Sequence, residues 1–272
     1  MVGCREMLGA SDKGAEQMSS NTYKFIQVDG IKRRMVRSYI PHSSFREAHR
    51  IQVFLRTESP VHVGSGEIGL HENLPLLLNA RLDGKLAIPG STLKGVISHY
   101  YLALTGDISS TSSLFGSPGY MSRALFSDSL PEGPVEPKII GIGPSWQPVR
   151  REMGKIKLYR NDIEFKEEKR QYYLECIPQG TVLKADIVVF NPVKMETAKL
   201  ILSMGHTSHD SKIFLLGFGK PRGLGKIRVS NLRVLSVDSL GKEKEITNEV
   251  MDDVDRTFQE VKGRFVEVFG SG

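Results

Sequence analysis

Cysteine is almost missing from this chain of 272 residues, which has two, Cys4 and Cys176. Two thiols build neither a disulfide framework nor a zinc set, so a reducing, cytoplasmic setting is expected. No apolar run approaches the roughly eighteen residues that a membrane span needs, and no membrane partner is expected. Residues 1–20 hold no apolar stretch of the secretory kind. The phosphate-loop pattern GxxxxGK(S/T) does not occur, which excludes a Walker loop. A GxSxG elbow is missing too, and no Ser/His/Asp set stands out. Acidic residues are scarce in one region above all. Between Tyr23 and Arg50, the cations Lys24, Lys32, Arg33, Arg34, Arg37, Arg46 and Arg50 face only Asp29 and Glu47.

What is present points to an anionic partner. Lys and Arg total 37 against 31 Asp and Glu, a net charge of +6, and nucleic acid is the commonest partner of such a chain. Hydrophobic residues make up 39%, enough for a sizeable core. The basic run from Tyr23 has two readings, a solvated arm or a strip laid along phosphates.

The stretch Gly217 to Lys226 carries four glycines with Lys220, Arg222 and Lys226. Glycine allows positive φ and close backbone approach, and bare N–H groups beside cations suit a polyanion. The alternative is a flexible surface loop between a helix and a strand. A dinucleotide-binding turn does not fit, since that order is strand, glycine loop, helix.

Along the chain, residues 1–22 have no period and are read as a mobile tail. Residues 23–240 are read as one domain with an insertion at about 129–171, and 241–272 as a C-terminal helical segment. Ile51–Thr57 is expected as a strand, and Val61–Gly66 as a short strand entering a glycine turn. Glu67–Asn79 is expected as a loop holding Glu67, His71, Glu72 and Asn73. After Ile88-Pro89-Gly90-Ser91-Thr92, apolar residues at Leu93, Val96, Ile97, Tyr100, Tyr101 and Leu104 predict a helix that Gly106 stops. Ser91 or Thr92 is expected to cap it, and Ser91, Thr92 and Lys94 would present an anion site. Ala124–Asp128 is expected as a strand. The insertion holds Trp146, Arg150, Arg151, Lys155, Lys157, Tyr159 and Arg160, and is read as a functional loop or an extended hairpin. Tyr172–Ile177 and Val182–Phe190 are expected as strands joined at Pro178-Gln179-Gly180, Val193–Met204 as a helix, and Lys226–Leu235 as a strand. Ile246 to Phe265 predicts a docking helix. The order strand, helix, strands, helix, strand gives an α+β fold of the ferredoxin-like type, βαββαβ, shared with RRM sheets. No RNP1 aromatic motif is present.

Five segments, in this order, carry a family resemblance. They are Val61-His62-Val63-Gly64-Ser65-Gly66, Ile88 to Gly95 (IPGSTLKG), Leu114-Phe115-Gly116, Leu125-Phe126-Ser127-Asp128, and Pro221 to Lys226 (PRGLGK). The series, over roughly residues 50–236, resembles the RAMP superfamily of CRISPR-associated proteins. Within it, the series looks like the backbone subunit of type III (Csm or Cmr) effector complexes. The resemblance implies a ferredoxin-like palm with an inserted hairpin thumb, and copies stacked into a homo-oligomeric filament on a guide RNA. It implies target RNA and other effector-complex subunits as partners, in antiviral defence. Ser91, Lys94, Lys155, Lys157, Gly219, Lys220, Arg222, Gly223, Gly225 and Lys226 are the expected RNA-binding residues. Active members cleave target RNA with a loop aspartate and a divalent metal. Here the matching stretch is His71-Glu72-Asn73-Leu74-Pro75, with Glu72 and Asn73 at the aspartate's place. No cofactor is expected, apart from a divalent metal (Mg) if the site cleaves. The competing readings are a CRISPR repeat-processing endoribonuclease and a phosphate-ligand-binding enzyme.

Overall fold

Residues 47–57 alternate strictly enough to build a half-buried strand. Ile51, Val53 and Leu55 are fully buried, while Gln52, Phe54 and Arg56 point the other way. The same period recurs in residues 182–190, where Leu183, Ala185, Ile187 and Val189 are buried. The computed structural model describes residues 22–28, 44–144, 152, 154–165 and 170–270. The tail 1–21, the cations Lys32 to Arg37, and Trp146, Arg150 and Arg151 lie outside the described residues.

The strands are β1 (Tyr23–Gln27), β2 (Glu47–Thr57), β3 (Gly64–His71), β4 (Leu74–Asn79), β5 (Arg81–Leu82), β6 (Lys85–Leu86), β7 (Ala124–Phe126), β8 (Leu130–Pro131), β9 (Lys138–Ile142), β10 (Lys155–Tyr159), β11 (Tyr172–Cys176), β12 (Val182–Phe190), β13 (Phe214–Leu215), β14 (Lys226–Asp238) and β15 (Glu243–Glu245). The helices are α1 (Gly90–Thr105), α2 (Ile108–Phe115), α3 (Glu196–Ser203) and α4 (Thr247–Phe269). The fold is mixed α+β, as expected, and all but one of its strand pairings are antiparallel among the described residues.

The main sheet runs β13-β14-β2-β12-β7. Four of these five strands, with two helices between them, follow the chain as β2-α1-β7-β12-α3-β14. β12 lies antiparallel between β2 and β7, and β2 antiparallel between β14 and β12. Two split βαβ units therefore interleave, which is the βαββαβ pattern. A bulge between Val229 and Asn231 adds one residue to β14. It lets Ile227, Val229, Leu232 and Val234 all face the core.

Helices α1, α3 and α4 pack on one another over this sheet. α1 buries Leu93, Ile97, Tyr100, Tyr101 and Leu104, and left-handed Gly106 ends it. Burial of each large apolar side chain contributes about 1.5–3 kcal/mol. α4 is longer than its sequence pattern suggested and ends with Phe269 stacked on Tyr100 at 5.3 Å. Among the described residues no helix is long and apolar enough to cross a membrane.

Three expectations need correction. The stretch Glu67–Asn79 is not a loop: β3 and β4 form a hairpin whose turn is Glu72-Asn73. It belongs to a second sheet, β3-β4-β11-β9, in which β4 and β11 are parallel. Tyr172–Cys176 and Val182–Phe190 therefore sit in different sheets, not in one hairpin. The insertion does not fold back on itself within the described residues. β8 joins β12, β9 joins β11, and β10 joins β1. Each segment finds an unpaired strand edge already present, and backbone groups near a core must be paired.

Candidate nucleic-acid interface

β1 reads YKFIQ and β10 reads KIKLY. Each alternates, and their antiparallel register pairs Tyr23 with Tyr159, Phe25 with Lys157, and Gln27 with Lys155. One face of this ribbon turns inward with Ile26 and Leu158, both buried. The other face carries Tyr23, Phe25, Tyr159, Lys155 and Lys157, because paired residues share a face. Lys157 Nζ lies 3.8 Å from the Tyr23 ring centroid and 4.9 Å from that of Tyr159. Lys155 is half exposed in an ion pair with Glu152 at 2.7 Å.

The glycine loop meets this ribbon. Lys220 Nζ lies 5.8 Å from the Tyr159 centroid and donates to Gly217 O at 2.6 Å. Desolvation holds the Lys220 amine below its ordinary lysine value. His99 of α1 contacts Lys157 O at 2.9 Å, so helix, ribbon and loop converge. Two cations and two tyrosine rings in one place suit unpaired bases and phosphates, through stacking and charge.

Most of the loop's amides are not bare. The N–H groups of Phe218, Arg222, Gly223, Leu224 and Gly225 all donate to carbonyls of the chain, and that of Lys226 to Ser59 Oγ. The glycines Gly217, Gly219, Gly223 and Gly225 have positive φ. They serve packing: a Cβ on Gly217 would stand 2.3 Å from His62 O, and one on Gly223 would stand 2.5 Å from Ile163 O. Arg222 donates to Gly143 O at 3.2 Å and to Pro144 O, tying the loop to the insertion. Most of the loop's amides are thus engaged within the chain, and Lys220 adds side-chain charge beside them.

The start of α1 is also changed. Its N-cap is Pro89, without a side-chain cap from Ser91 or Thr92. The Asp128 carboxylate accepts from Gly90 N–H at 2.6 Å instead. A carboxylate there complements the positive helix end. Gly90 is required by close approach, since a Cβ would stand 2.3 Å from Phe126 O. The expected anion site at this helix end is thus filled from within the chain. Ser91 stays exposed, and desolvation lowers the Lys94 amine from its usual range.

Glu72 and Asn73 form the hairpin tip with φ of 48° and 64°. The Glu72 carboxylate accepts from Tyr173 Oη, and Arg170 Nη1 is 3.4 Å away. That hydrogen bond, then the Arg170 and His71 charges, hold it below the usual carboxylate range. Magnesium demands near-octahedral oxygen ligands. Among the described residues no group of three His, Cys, Asp or Glu side chains converges. Glu72 is a single exposed carboxylate at the hairpin tip, held by a tyrosine and an arginine.

Sequence reasoning missed a polar network under the glycine loop. His62, 2% exposed, contacts Glu175 O at 2.7 Å, and burial pushes its imidazole down. The Glu175 carboxylate accepts from Asn79 N–H at 2.9 Å and pairs with Arg81 at 2.5 Å. Asn79 Oδ1 in turn accepts from Val63 N–H at 2.8 Å. The network joins the first β-hairpin to β11 directly beside Gly217. Tyr23 and Phe25 were also missed individually; the alternation in YKFIQ and KIKLY was the available signal.

A model of the RAMP superfamily matches residues 54–228, from the middle of β2 to the start of β14. The match spans β10, α1 and the glycine loop, and leaves β1 and α4 outside. No curated protein matches the chain significantly. With almost two thirds of its length in that match, this chain belongs to the RAMP superfamily, whose CRISPR-associated members bind RNA.

Proposed function

We propose that this chain is a guide-RNA-binding backbone subunit of a type III CRISPR effector complex, working in the cytoplasm in antiviral defence. The main sheet with α1 and α3 serves as the palm, and copies stack along the guide into a filament. Target RNA pairs with the guide, and other subunits of the complex join the filament. The observation that carries this reading, beside the family, is the meeting of Lys157 and Lys220 at the Tyr159 ring. Such a surface grips single-stranded RNA with little sequence preference. The reading assigns the subunit binding and no cleavage, because Glu72 is engaged by Tyr173 and Arg170.

The test is the purified full chain at low salt. Its 260-to-280 nm absorbance ratio should exceed that of protein alone, should fall after ribonuclease treatment, and gel filtration should show assemblies that shrink with it. A nucleic-acid-free monomer under these conditions, with no shift on adding single-stranded RNA, would remove the proposal.

A further inference from the structure

At the open end of the ribbon lies a cleft of about 800 Å³. That is within the roughly 300–1,000 Å³ of small-molecule sites. Its charged lining is Lys24, Arg160, Asp162, Asp210, Lys212 and Arg228, four cations against two carboxylates. Both carboxylates are already neutralised. Asp162 pairs with Arg160, and Asp210 pairs with Lys212 at 2.6 Å. Arg228 pairs with Glu58, and Lys24 donates to the backbone carbonyl of Glu267, so the lining keeps the Lys24 charge beyond its ion pairs.

Two donors in this lining find no acceptor among the described residues. Ser211 Oγ is buried without a hydrogen-bond partner, and so is Arg228 Nε, although Glu58 Oε1 is 3.4 Å from it. Arg228 Nη1 donates to Ser211 O at 2.8 Å, which holds the two side chains together. A buried donor without an acceptor is costly, so a polar ligand would be rewarded here. Tyr23 and Tyr159 line the same cleft. Unpartnered donors and tyrosines in one lining match a molecule that carries both a phosphate and a flat ring.

We propose that this cleft binds a phosphorylated nucleoside, with its phosphate on Ser211 and Arg228 and its base against Tyr23 or Tyr159. The source is either a free nucleotide or the phosphorylated end of an RNA chain. The cleft shares Tyr23 and Tyr159 with the proposed guide-RNA surface, and AMP probes it without a guide.

The experiment is calorimetric titration of the full chain with AMP, adenosine and inorganic phosphate. AMP should bind at least about tenfold more tightly than either fragment. Ser211→Ala removes an oxygen that bonds to nothing among the described residues, so its melting temperature should stay unchanged. It should weaken AMP by several-fold, and Arg228→Gln should weaken it by about tenfold, the scale of a lost charge-assisted bond. Competition of AMP with a 5′-phosphorylated oligonucleotide, but not with its 5′-hydroxyl counterpart, identifies an RNA end as the source. Failure of both oligonucleotides to compete identifies a free nucleotide. AMP that binds no better than adenosine, or that is indifferent to Ser211→Ala and Arg228→Gln, would overturn the inference whatever the outcome of the guide-RNA test.

Discussion

Arg123→Ala should lower the unfolding free energy by about 3–5 kcal/mol, because it leaves a buried carboxylate without its counter-ion. Arg123 is 1% exposed and Glu196 4%. Their contact is bidentate, Nη1 to Oε2 at 2.8 Å and Nη2 to Oε1 at 2.5 Å. Nη1 also donates to Phe190 O and Asn191 O, and Nε donates to Ser113 O. One guanidinium thus fastens α2, the end of β12 and the first turn of α3. The melting temperature should fall by roughly 6–20 °C at this size. Replacing both partners, as in Arg123→Met with Glu196→Met, should cost less than Arg123→Ala alone, since no charge is then stranded. A double variant less stable than the single one would show that the pair contributes more than the desolvation it requires.

Gly225→Ala should be nearly as damaging. Gly225 has φ of +78°, and a Cβ there would stand 1.9 Å from Leu216 O. That carbonyl belongs to the backbone and cannot swing aside as a side chain would. Leu216 N–H already donates to Gly225 O at 2.8 Å, and Gly225 N–H to Pro60 O at 2.9 Å. Left-handed backbone costs a residue with a side chain about 1–2 kcal/mol. Overpacking typically adds about 1–3 kcal/mol. Gly241 is the internal control, with φ of +77° and nothing within 4 Å of its Cβ position. Gly241→Ala should therefore show the strain alone. Urea melts of the two variants separate packing from strain, and equal losses would mean that the Leu216 clash is relieved elsewhere.

An element is legible in the sequence where burial imposes a period on it. The βαββαβ order is legible because β2, β12 and α1 have clean periods, two or three to four, over whole elements. The first β-hairpin is not. Its outer strand exposes Ile68 and Leu70, at 68% and 79%, so burial imposes no alternation on it. Its turn is Glu-Asn, which lacks the glycine that marks two-residue turns. The parallel pairing of β4 with β11 joins segments almost a hundred residues apart, and no local pattern encodes that. Arg123 does not stand out either, since arginine is rarely buried and its partner is distant in sequence. The glycine loop is easy to locate, but the engagement of its amides is not visible. Glycines needed for close packing and glycines needed for a ligand look alike in a sequence. Lys157 and Lys220 are both RNA-binding candidates from their neighbourhoods, but only the approach of the glycine loop to β10 places them around one tyrosine ring.

The central claim is that the outer face of this ribbon contacts RNA phosphates. Its most direct measurement is the salt dependence of binding to a single-stranded RNA, for the parent chain and for Lys155→Gln with Lys157→Gln. Each neutralised phosphate contributes about 0.7 log units of affinity per log unit of salt. The double variant should bind more weakly, with a slope flatter by about 1.4 and an unchanged melting temperature. Binding that ignores salt, or a slope identical in parent and variant, would contradict the account and move the RNA to another surface of the protein.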